Sequence, residues 1–159
     1  MSQEALNRAT REAKRSRKLG PDPHCAECGW REPEALCMIS HEVRCYECVQ
    51  ADKGKAAIEA HHHFGAAIDA ATVAIPGNLH RVLSDRQLDW PKELRMNPHH
   101  DPLLWLAAGA RGLHDHLAWW LEHLLGIADF LVSCSTALAA RIGPRWWTEL
   151  GLPSQEGVI

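Results

Sequence analysis

The clearest pattern in the chain is a helical stripe near its C-terminal end. Leu103, Leu106, Ala110, Leu113, Leu117, Leu121 and Leu124 recur at steps of three and four, the spacing of an amphipathic helix. Ile127, Phe130, Leu131, Cys134, Leu138 and Ile142 continue it, either after a break at Gly126 or as one long helix, and Gly143-Pro144 stops it. A second helix is predicted over residues 2–19, where Ala and Leu are spaced among Arg, Lys and Glu before Gly20-Pro21. Between these two the apolar pattern is weak. Residues 22–50 hold five of the six cysteines, and residues 51–100 hold a run of histidines, turn signals at Pro76-Gly77 and Asn97-Pro98, and a short helix from Arg81 to Leu88.

Composition adds limits to that outline. The chain has 159 residues, 46% of them hydrophobic and 23% charged, so it can bury a core and is not disordered throughout. The longest apolar run, Leu117 to Val132, is interrupted by Glu122, His123 and Asp129. Each is costly in hydrocarbon, so no membrane association is expected. The first residues are charged rather than apolar, which gives no secretory signal and points to a cytoplasmic, reducing location. There, clustered cysteines bind metal more often than they form disulfides.

Charge is unevenly spread. Residues 1–23 carry six basic side chains against three acidic ones, while the whole chain is at −3, leaving −6 for the remainder. A protein that touches phosphate is usually basic where it does so. Only the N-terminal segment meets that description, and it reads as a solvated arm or, more sharply, as a phosphate contact through Arg11, Lys14, Arg15 and Lys18.

The cysteines carry the strongest chemical signal. Cys25-x-x-Cys28 and Cys45-x-x-Cys48 are separated by 16 residues, the spacing of a zinc site made by two knuckles. Four thiolates leave no position for water, so the expected Zn2+ is structural rather than catalytic. Cys37 and His41 lie between the knuckles and are alternative ligands. Cys134, on the apolar stripe, reads as a small buried hydrophobe.

The histidines form a second constellation. Glu59-Ala60-His61-His62-His63-Phe64-Gly65 is followed, 18 residues after His62, by His80 within Asn78-Leu79-His80-Arg81. A strand with adjacent histidines, a turn, and a helix opening with another histidine can bring imidazoles round one divalent ion. His114, His116 and His123 on the long helix read instead as surface histidines.

At these residues the chain resembles the HNH (His-Asn-His) nucleases of the ββα-metal, treble-clef type. Two zinc knuckles, E-x-H-H-x-x-G and N-x-H-R occur in that family's order. Asn78 to Pro91 (NLHRVLSDRQLDWP) is similar to a run found in small HNH-like proteins of bacterial and phage genomes. The resemblance covers residues 24–98. It implies an α+β fold, with a zinc-knuckle hairpin leading into a ββα-metal unit and C-terminal helices packed on it. The corresponding organisation is an arm at 1–21, the knuckle and HNH-like domain at 22–100, and a helical region at 101–159. It also implies a metal-dependent endonuclease acting on DNA, with nicking as one form of that activity. His61 and His80 would hold a catalytic divalent ion such as Mg2+, Mn2+, Ni2+ or Zn2+. His62 would activate water, or His63 if the strand is shifted by one. Asn78 is the nearest candidate for the family's asparagine, Glu59 would orient an imidazole, and Arg81 would contact nucleic acid. The alternative is a zinc-stabilised HNH-like module that binds nucleic acid or protein without catalysis.

Trp119-Trp120 and Trp146-Trp147 are adjacent pairs on predicted helices. Neighbours on a helix point about 100° apart, so one of each pair is expected outside, marking a homodimer or protein-partner surface. No phosphate-cradling glycine loop and no nucleophile elbow occurs, so nucleotide-binding and serine-hydrolase chemistry have no support.

Overall fold

The computed structural model describes residues 3–151. The chain is α+β: mostly helical, with two small antiparallel sheets. It divides into two compact units, the first ending at His116 and the second beginning at Leu117.

The first unit opens with helix α1 (Gln3–Leu19), which ends where Gly20 turns left-handed at φ +89°. α1 is not a free arm. Arg11 donates to Asp85 and Asp89, and Arg15 grips Asp85 through both terminal nitrogens at 2.9 and 3.1 Å and also reaches Glu34 at 3.1 Å. Leu19, at its end, is buried with Cys25, Leu36 and Cys45, against which Trp30, Val43 and Cys48 pack.

A tight hairpin follows. β1 (Leu36–Ile39) pairs with β2 (Glu42–Cys45), with Leu36 opposite Cys45, and β2 runs directly into helix α2 (Tyr46–Asp52). The second hairpin joins β3 (Ile58–His61) to β4 (Val73–Pro76), with Glu59 opposite Ile75 and His61 opposite Val73. Residues two apart on a strand share a face, so Glu59 and His61 point the same way.

Helix α3 (Gly77–Gln87) begins four residues before the Arg81 start read from the sequence. The signal at Pro76-Gly77, read as a turn, is the helix entry. Pro76 stands at the cap, and Gly77 fits because a side chain there would strike the Tyr46 ring at 2.6 Å and the Ala57 carbonyl at 3.0 Å. Leu79, Val82 and Leu83 of α3 are buried, as is Trp90 beyond its end. The Trp90 indole donates to the buried carboxylate of Asp115 at 2.8 Å, so this tryptophan is core. Asn97, left-handed at φ +37°, ends α4 (Lys92–Met96), in keeping with the Asn97-Pro98 turn signal.

The apolar stripe becomes one helix, α5 (Pro102–Ile142), with no break at Gly126. Its opening turns belong to the first unit and approach the histidine segment at two glycines. A methyl at Gly109 would overlap the Phe64 ring, and one at Gly112 would overlap the His63 carbonyl oxygen.

The second unit comprises the rest of α5 and, after Gly143-Pro144, the short helix α6 (Trp146–Glu149). Trp119 is buried and Trp120 is half-exposed, the split expected of adjacent helical positions. Trp146 and Trp147 are both partly buried. By length and composition α5 is apolar enough to cross a membrane, and none of its most apolar stretch is buried. Glu122 and Asp129, the expected interruptions, lie within this helix.

Candidate metal centre and histidine cluster

Cys25, Cys28, Cys45 and Cys48 come together, with all four Sγ atoms within 4.8 Å of one another. Local backbone geometry sets each pair. In the first knuckle Gly29 donates to the Cys25 carbonyl at 2.9 Å and takes φ +77°, which turns Cys28 back toward Cys25. In the second, Cys45 caps α2, and its sulfur accepts from the Cys48 amide at 3.4 Å. The knuckles are joined by Ala26 donating to Val43 at 2.9 Å.

The separations suit a metal such as zinc. Zn–S bonds of about 2.3 Å in a tetrahedron put sulfurs about 3.8 Å apart. Cys28 and Cys45 lie 3.6 Å apart, and all four cysteines are free thiols. Burial raises the Cys25 thiol, but amides of Cys28, Cys45 and Glu27 outweigh it and bring the group down to about 6. Burial and the other three sulfurs push Cys48 up. One sulfur readily gives up its proton and the others crowd it, which is the electrostatic condition a cation relieves. Cys37 lies outside the cluster and donates to the Arg44 carbonyl, while His41 sits exposed in the β1–β2 turn.

The histidines gather between β3, α3 and α5. Glu59 is the hub. Its carboxylate accepts from the Tyr46 hydroxyl, from Arg81 at 2.9 Å and from His80 Nδ1. These partners hold Glu59 below the ordinary carboxylate range despite the opposing effect of burial, the largest single influence. Because His80 donates a hydrogen bond from Nδ1 to Glu59, Nε2 is the lone-pair nitrogen of the neutral ring, the arrangement of a carboxylate–histidine metal ligand. Arg81 also stacks over the Tyr46 ring at 4.2 Å.

His61 is 2% exposed, and its ring lies 5.2 Å from that of His80. The Gln87 amide donates to its Nε2 at 3.3 Å, and its Nδ1 is buried with no partner among the described residues. An unmet buried polar atom costs about 1–3 kcal/mol unless something from outside meets it. Burial, then the neighbouring imidazoles, drive the His61 pKa down to about 3. The ring is therefore neutral, and because the Gln87 amide nitrogen can only donate, Nε2 is its lone-pair nitrogen and the orphaned Nδ1 carries the proton. His61 and His80 each offer Nε2 as the candidate ligand atom for a divalent cation. Among the described residues the four cysteines are the one group of three or more ligands already converged.

His62 turns the other way. Its Nδ1 donates to the Asp69 carbonyl at 3.2 Å, which makes Nε2 the lone-pair nitrogen of the neutral ring, while Gln87 donates to the His62 carbonyl at 2.7 Å. The Asp69 carboxylate accepts from the Ala71 amide at 2.8 Å and from the Trp105 indole at 2.9 Å, which keep it ionised below its usual range. His63 packs instead toward α5, its ring 4.9 Å from that of His116, and burial lowers its pKa.

Asn78 is 1% exposed and does not face the histidines. Its side chain accepts from the Glu47 amide at 3.1 Å while its own amide donates to the Glu47 carboxylate at 2.9 Å, which ties α3 to α2. Of the basic residues named for phosphate contact, Arg11 and Arg15 are held in ion pairs, Lys14 and Lys18 are exposed, and Arg81 borders Glu59.

Tyr46, Asp69, Gln87 and His116 arrive from separate elements near the histidines, and the His116 ring, expected at the surface, lies 5.5 Å from that of His61. Gln87 falls within the Asn78–Pro91 run without an expected role, and Asp69 had as its signal a carboxylate within the loop that joins two strands of a hairpin. No family model matches the chain, and comparison with curated proteins and with solved structures finds no match for it.

Proposed function

We propose that this chain is a metal-dependent endonuclease of the HNH type, hydrolysing phosphodiester bonds in DNA, on a β3–β4–α3 unit of ββα-metal character. The observation that carries the reading is a division of labour among imidazoles. His80 is anchored at Nδ1 by Glu59, and His62 is anchored at Nδ1 by the Asp69 carbonyl, so both present a lone pair at Nε2.

His61 and His80 are the residues that would hold a divalent cation, which when bound would polarise a phosphate oxygen and stabilise the departing 3′ oxygen. His62 takes the proton from water through Nε2, and its bond to Asp69 stabilises the resulting imidazolium orientation. Asp69 serves here as the loop brace, since Asn78 is committed to Glu47. Cys25, Cys28, Cys45 and Cys48 would hold a structural zinc that fixes α2, and through Glu47 and Tyr46 fixes α3 and Glu59.

Nicking of supercoiled plasmid, assayed with Mg2+, Mn2+, Ni2+ and Zn2+ in turn, tests this. His62→Ala is expected to abolish nicking while zinc content and circular dichroism stay unchanged, and a smaller loss is expected from His63→Ala. Unchanged nicking by His62→Ala removes that residue as the base. A second reading, a module of this shape that binds without catalysis, is favoured by one observation: Arg11 and Arg15 are engaged by acids of their own chain. Absence of nicking with every metal, together with retained DNA binding, would select it.

A further inference from the structure

We propose that α5 is a self-association helix, whose exposed seam packs against the same seam of a second copy of this chain. The proposal is independent of the nuclease reading.

From Leu103 to Leu138, apolar residues fall at strictly alternating steps of three and four, without a miss. This is a seven-residue period, which an isolated helix does not need and a supercoiled partner does. In the second unit the seam runs through Leu117, Trp120, Leu124, Ile127 and Leu131, which are 52, 50, 50, 46 and 60% exposed. At roughly 180 Å² for each large apolar side chain, these five residues of the second unit alone leave about 460 Å² per copy open to a partner.

The opposite side of the helix decides between a second copy and a lipid bilayer. Asp115, Glu122, Asp129 and Thr136 recur every seven residues, about half a turn of the helical wheel from the centre of the seam. A bilayer would surround α5 and bury this polar line, at about 2.5–3.5 kcal/mol for an acid near mid-depth. A partner helix covers the seam, with Leu121 and Phe130 at its flanks, and leaves Glu122 and Asp129 in water, while Leu125 and Val132 stay exposed. The period and the acidic line agree on one occupant, another helix of the same pattern.

Light scattering on the full chain after gel filtration is the test, at 10–100 μM. A mass of two or more chains is expected. Leu124→Glu with Leu131→Glu should return it to one chain with zinc content unchanged. Asp129→Lys, on the opposite line, should leave the assembly intact and shows that the loss is specific to the seam. A single-chain mass for the wild type throughout that range overturns the proposal. Flotation of the wild type with phosphatidylcholine vesicles, lost in the double variant, also overturns it and assigns the seam to lipid.

Discussion

Two glycines of α5 give opposite expectations for the same substitution. At an exposed helical position, Gly→Ala gains about 0.8–1.0 kcal/mol by restricting the unfolded chain and favouring the helix. Among the described residues nothing lies within 4 Å of a methyl built at Gly126. Gly126→Ala should therefore stabilise by about that amount. At Gly112 the new methyl meets the carbonyl oxygen of His63, and His63 Cδ2 lies at 3.3 Å from it. A backbone carbonyl cannot swing aside, so α5 or the histidine segment must shift, and overpacking of this kind costs about 1–3 kcal/mol. Set against the helical gain, Gly112→Ala should come out destabilising by about 0–2 kcal/mol. Gly109→Ala should fall between the two, because the obstacle there is the Phe64 ring, a side chain that can rotate away from its stack on Trp105. Urea denaturation followed by far-ultraviolet circular dichroism measures all three. If Gly112→Ala and Gly126→Ala stabilise equally, α5 does not lie against the His61–Phe64 segment, and the approach of His116 to the cluster fails with it.

Three other substitutions probe separate contacts. Glu59→Gln removes the charge that orients His80, and Co2+ affinity at the imidazole pair, followed by visible absorption in a cobalt titration of zinc-loaded protein, should fall about 10–100-fold. Cys25→Ser should lose one zinc per chain by elemental analysis and lower the melting temperature, whereas full zinc retention would exclude a four-cysteine centre. Arg15→Ala breaks the paired contact with Asp85 and should cost about 1 kcal/mol in urea denaturation, given that both side chains are partly solvated. No change in stability would mean that α1 is not held by this contact.

What could be read from the sequence was local. The C-x-x-C turns, the helix ended by Gly20 and the apolar stripe of α5 depend on neighbours within a few residues, so spacing and turn chemistry were enough to locate them. The four sulfurs converge because each knuckle already aims its own pair, and one hairpin, with Leu36 opposite Cys45, joins the two. The histidine motif gave the residues but not their duties. His61, His62 and His63 are consecutive, and which ring faces inward depends on strand register and on partners far along the chain: Gln87, Asp69, His80 and His116.

The same holds for Asn78, which sits beside His80 in the sequence yet is directed to Glu47 by the packing of α3 on α2. The basic character of residues 1–23 was evident from composition. That Arg11 and Arg15 spend it on Asp85 and Asp89 was not, because the acids lie some seventy residues away. Periodicity and turn signals are properties of the chain near itself. Hydrogen-bond direction, imidazole tautomer and charge pairing are decided by which distant groups the fold brings within reach, and at the histidine cluster only the tertiary structure supplies them.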